Sequence, residues 1–152
     1  MSQIDPKWLV ITWRLGSATS TPRVTTWRTL RRIGAVSLTP GAAVVPYGED
    51  LLEQLDWLAQ DITESGGDAW VLPVTKLSER DEEQIRARMR EDRRGEYEAV
   101  RTEADRAHRA NERELATLER RFARVAARDF FSAPGRRRTR DAIEHARRRA
   151  AS

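Results

Sequence analysis

The sequence predicts an α+β fold in two parts, a small antiparallel sheet carrying two helices and then an all-helical second half. Three observations predict it. All five tryptophans lie within the first 70 residues, and all three phenylalanines follow residue 120. Short β-branched and aromatic runs punctuated by Pro and Gly fill residues 7–77, whereas from Ser78 onward the apolar residues recur at steps of three and four. Charge divides the same way. Residues 1–77 carry 7 basic and 8 acidic side chains (net −1), residues 78–132 carry 14 and 14 (net 0), and residues 133–152 carry 7 and 2 (net +5), so the +4 of the chain is an effect of its C-terminal stretch.

Residues 7–14 (KWLVITWR) are β-branched and aromatic and read as a strand. Thr21-Pro22 then supplies an N-cap with proline at the first helical position. Val24, Trp27, Leu30 and Ile33 follow at steps of three as the apolar side of an amphipathic helix that Gly34 stops. Residues 35–39 and 42–46 flank Pro40-Gly41 and read as a hairpin. Leu51, Leu55, Leu58 and Ile62 give a second helix its apolar stripe, ended by Gly66-Gly67, and residues 69–74 form a last strand placed near an edge by Pro73. The order β-α-β-β-α-β is that of a ferredoxin-like sandwich, over residues 1–77.

The second part, residues 78–152, reads as a helical extension packing on the sandwich, a hairpin with an appendage. Ser78 with Asp81 opens a helix whose thin stripe is Ile85, Met89, Tyr97, Val100, Ala104 and Ala107, with Gly95 as a weak point. Asn111 with Glu114 restarts a helix whose Leu115, Leu118, Phe122 and Val125 form a packing seam. After residues 132–135 (SAPG), a short Arg-rich helix is expected over residues 139–150.

Composition excludes several chemistries. Without cysteine there is no disulfide, thiol catalysis or Cys-ligated metal centre, and two histidines, His108 and His145, are too few for a His-rich metal cluster. The longest uncharged run, residues 33–48, is interrupted by Pro40, Gly41 and Pro46, so it neither spans a bilayer nor forms a secretory signal, and a cytoplasmic location is expected. No catalytic constellation, metal site or cofactor site is read. Asp5, the carboxylate nearest the first strand, precedes it, the far end of that strand carries Trp13-Arg14, and most other carboxylates alternate with arginines at helical spacing.

Arginine is the informative residue: 26 of the 28 basic side chains, against two lysines. Arg23, Arg28, Arg31 and Arg32 line one side of the first helix, with no acidic residue between Pro6 and Tyr47. Arg136, Arg137, Arg138 and Arg140 form a second cluster, followed by residues 147–149 (RRR). Guanidinium groups so grouped suit phosphates or another tetrahedral oxyanion. The tryptophans read as core, Trp27 on the apolar side of its helix and Trp8, Trp13 and Trp70 in strands, with Trp57 out of phase and exposed. Trp57 and the thin stripe of residues 85–107 together predict a homodimer.

Several segments resemble the N-terminal domain of the ChrB family of chromate resistance. They are residues 8–11 (WLVI), the stretch from Pro22 through Trp27-Arg28 to Gly34-Ala35-Val36, Val45-Pro46, residues 66–69 (GGDA) and residues 128–134 (RDFFSAP). The resemblance implies a transcription regulator that acts on DNA and responds to chromate. The first half also resembles a domain of phenylacetate-catabolism repressors and of small CRISPR-associated nucleases, though it lacks the nuclease acid after the first strand. Full-length ChrB proteins continue into a second domain, so this chain is expected to act as a free DNA-binding module or beside a separately encoded domain of that type. The reading is a non-enzymatic regulator with those eight arginines on DNA phosphates. The alternative is a sensor of chromate or sulfate, or a protein-interaction module, using the same arginines.

Overall fold

The computed structural model describes residues 5–16 and 20–152. It is an α+β chain with one four-stranded antiparallel sheet and five helices: β1 (Trp8–Arg14), α1 (Ser20–Arg32), β2 (Val36–Thr39), β3 (Ala42–Pro46), α2 (Glu49–Glu64), β4 (Asp68–Val74), α3 (Glu79–Arg106), α4 (Glu112–Ala127) and α5 (Arg136–Ala151). The chain divides into two compact units, residues 1–85 and 86–152.

In the first unit the sheet order is β2-β3-β1-β4, with every neighbouring pair antiparallel. Side chains alternate across a strand, so Leu9 and Ile11 of β1 and Ala43 and Val45 of β3 point to one face. There they pack with Leu30 and Ile33 of α1 and Leu55, Leu58 and Ile62 of α2. Gly34 ends α1 at a φ of 84°, which a side-chain-bearing residue rarely adopts. Gly67 precedes β4 where a Cβ would lie 2.4 Å from the Arg14 carbonyl oxygen.

Three sequence expectations fail here for definite reasons. Trp27 is 43% exposed and Val24 50%. Steps of three on a helix of 3.6 residues per turn precess by about 60° each, so Val24 lies about 180° from Ile33. The buried set is instead Thr26, Leu30 and Ile33, at steps of four and three. Trp70 is 69% exposed: Ala69 and Val71 face the helices, and strand alternation sends Trp70 to the other face of an edge strand. Finally, Thr21 lies inside α1 rather than capping it, and the residue before Ser20 falls outside the described residues.

At the far side of β1 a buried carboxylate ties the start of α3 to the sheet. Glu82, 4% exposed, accepts hydrogen bonds from Lys7 Nζ (2.6 Å), Trp8 Nε1 (2.9 Å) and the Leu77 amide (3.0 Å). These donors, Lys7 foremost, lower its pKa from 4.5 to about 2. Because the folded value is depressed, Glu82 stabilises the fold above pH 4.5, and this stabilisation fades as pH falls toward 2. Thermal melts across that window should show wild type more stable than Glu82→Gln at neutral pH, with the gap closing on acidification.

The second unit is helical. Asn111 and Glu114 form the expected capping box at α4, with Glu114 N 2.9 Å from Asn111 Oδ1, and the Asp81 amide meets Ser78 Oγ at 3.2 Å at the start of α3. α3 continues through Gly95 without a break. Tyr97, Val100 and Ala104 of α3, Leu118, Phe122 and Val125 of α4, and Ala142 and Ile143 of α5 share one core. The α3 stripe expected to favour a dimer is thus consumed: Ile85 and Met89 are also buried. Tyr97 donates to Asp129 Oδ2 (2.9 Å) and Asp129 Oδ1 accepts from the Ala133 amide (2.7 Å), which fixes the turn into α5. Burial first, then the Asp129 carboxylate, raise the Tyr97 pKa and keep the phenol protonated.

Candidate nucleic-acid interface

α5 begins at Arg136, three residues before the expected start, because Gly135 turns the chain at a φ of 104° directly ahead of it. Arg136, Arg137 and Arg138 therefore occupy the first helical turn, all exposed, and not a loose tail. The helix is anchored beneath them. Thr139 is fully buried, its hydroxyl 2.8 Å from the Gly135 carbonyl and 3.1 Å from that of Tyr97. Arg149 donates to the carbonyls of Ala104 (2.9 Å) and Ala107 (3.0 Å). Arg140 spends its guanidinium on the Phe122 ring, 4.6 Å from the centroid, so it supports the helix more than it reaches outward.

Between α3 and α5 runs an open groove of about 460 Å³ lined by Arg94, Arg101, Arg137 and Arg138, with Glu98 as its carboxylate. A second depression shares Arg101 and Arg138 and adds His145 and Arg148 together with the carboxylates Asp105 and Asp141. Arg94 is occupied by Glu91 (2.6 Å) and Glu98 (2.9 Å). Among the described residues Arg137, Arg138 and Arg148 have no carboxylate within ion-pair distance. The α5 N-terminus adds its own partial positive charge, with no side-chain cap and no acid in the first turn. Three arginines placed against the helix dipole depart from a local rule of helix stability, a departure that proteins concentrate at functional sites.

The arginines of α1 sit differently. Arg23, Arg28, Arg31 and Arg32 are all exposed, as expected, and Arg31 and Arg32 occupy the last turn, where the dipole favours cations. Arg23 borders a groove with Trp13, Arg14, Trp27 and Pro40, and Arg14 is held by Asp68 at 2.6 Å. But α1 packs beside α2, whose exposed side carries carboxylates, so the acid-free sequence around α1 does not make an acid-free surface. The sequence missed this because α2 is remote along the chain and adjacent only in the fold. It also missed Glu82, whose position among Glu79 and Glu83 reads as ordinary helical charge.

Among the described residues no group of three or more His, Asp or Glu is placed to hold a metal ion, and no helix is long and apolar enough to cross a membrane.

The fold and site define a small α+β module with an arginine-fronted helix. Residues 23–110 match the family described as Protein ChrB, N-terminal. The chain is 30% identical over 138 residues to Protein ChrB of Cupriavidus metallidurans, an alignment covering 86% of this chain and 42% of that protein. The chain belongs to the ChrB family of chromate resistance, represented here by its N-terminal region. It spans less than half the length of that curated relative. No solved structure matches it.

Proposed function

We propose that the chain is the DNA-binding module of a chromate-responsive transcription regulator, acting in the cytoplasm without catalysis, and that α5 is the element that meets the phosphate backbone. The observation that carries this reading is the first turn of α5: Arg137 and Arg138 without carboxylate partners, on an uncapped helix start, over an arginine-lined groove. Family membership supports the biological setting. Phosphate contacts of this kind position a protein on the duplex without reading its sequence. The strand order β2-β3-β1-β4, with α1 and α2 on one face, supports assigning the first unit to the ferredoxin-like sandwiches.

Fluorescence anisotropy with a labelled duplex at about 50 mM salt tests the reading, since phosphate-driven binding is strongest there. Saturable binding that Arg137→Gln/Arg138→Gln weakens equally on unrelated sequences is expected. A protein that ignores DNA while calorimetric titration shows it binding chromate or sulfate, with that binding lost in Arg137→Gln/Arg138→Gln, would instead be an oxyanion sensor.

A further inference from the structure

α1 and α2 lie side by side over one sheet face and carry opposite charge. Residues 20–32 include four arginines and no acid, while residues 49–64 include six carboxylates and no base. The outer side of α2 also exposes Trp57, at 59%, whereas Trp27 of α1, at 43%, lies on the flank of its helix beside Trp13 and Pro40. Since β1 and β3 are antiparallel and α1 follows β1 as α2 follows β3, the two helices run in opposite directions.

These facts together make the layer self-complementary. A two-fold axis lying in the contact plane, parallel to the helices and midway between them, carries α1 of one copy onto α2 of the other, antiparallel to it. The C-terminal half of α1, with Arg28 and Arg32, then meets the N-terminal half of α2, with Glu53 and Asp56, and the same contact occurs twice, as an isologous interface requires. The helix ends agree as well, because the negative dipole end of α1 lies over the positive end of α2. Trp57 of each copy supplies an apolar anchor, of the residue type that dominates binding energy at interfaces. A polyanion laid along α1 would meet the carboxylates of α2 beside it, whereas a second copy offers each helix its opposite.

We propose that the α1/α2 layer is a homodimer interface in which α1 of each copy docks on α2 of its partner. The proposal is independent of DNA binding and is tested without DNA, by sedimentation velocity of the full chain over a concentration series. Wild type should dimerise reversibly, more weakly as salt rises. Arg28→Glu/Arg32→Glu and Glu53→Arg/Asp56→Arg should each weaken self-association at least about tenfold through like-charge contacts. Mixed in equal amounts, the two variants should form a heterodimer, since both of its helix contacts again pair opposite charges. Trp57→Ser should weaken the dimer with no charge change. A wild type that stays monomeric at high micromolar concentration overturns the proposal. So does a mixture that stays monomeric while both variants retain the wild-type circular dichroism spectrum, or reversal variants that dimerise as wild type does.

Discussion

Truncation after Gly135 should leave residues 86–135 without a cooperative fold. The 17 residues removed look like a basic tail in the sequence, yet they contribute Ile143 (2% exposed) and Ala142 to the core shared with Tyr97, Phe122 and Val125, and the fully buried Ala146 to a second cluster with Leu115. They also supply the Thr139 hydroxyl and the Arg149 guanidinium that meet α3 carbonyls. The truncated chain should therefore lose more helical circular dichroism than one helix accounts for, and amide protons of α4 should exchange freely. Ile143→Ala, a milder lesion at the same place, should cost about 2–4 kcal/mol. A truncated chain in which α4 amides remain protected would show that α3 and α4 pair without α5.

Trp8→Ala should be the most damaging single substitution in the first unit, at about 3–5 kcal/mol. Trp8 is 1% exposed and its indole N–H donates to Glu82, so the change leaves both a cavity and a carboxylate with one partner fewer. Trp8→Phe, which keeps most of the apolar volume but not the donor, should fall between that variant and wild type. Trp70→Ala is the control: at 69% exposure it should change stability by less than about 0.5 kcal/mol. Chemical denaturation of the three variants checks the ranking.

Those two tryptophans show what the sequence made legible. Short β-branched and aromatic runs identify β1 and β4 as strands, and Pro73 places β4 near an edge, where the sheet has it. What covers each face of a strand, however, is not a local property. Trp8 and Trp70 look equivalent in sequence and lie on the same face of the sheet, away from α1 and α2, yet end at 1% and 69% exposure, because Glu82 and the start of α3 cover Trp8 and leave Trp70 bare. The caps at Ser78 and Asn111 were legible because a side chain bonding an amide three residues on is a local event. The first turn of α5 was not. Arginine forms helix well, but its charge opposes the positive end of the helix dipole and no side-chain cap precedes it, so the sequence predicts a start at Thr139 after a separate arginine cluster, whereas residues 136–138 form the first turn. The charge balance of the first helix failed for the converse reason: its neutralising partner, α2, begins 17 residues after α1 ends.

The central claim is that Arg137 and Arg138 at the start of α5 hold DNA phosphates, and the dependence of affinity on salt tests it most directly. Log affinity for duplex DNA should fall linearly with log salt, and each phosphate contact removed should lower the slope by about 0.9. Arg137→Gln/Arg138→Gln should thus reduce the slope by about 1.8. Both side chains are exposed and unpaired, so stability should move by less than about 0.5 kcal/mol. A double variant that is folded as wild type and binds with an unchanged slope would contradict the claim.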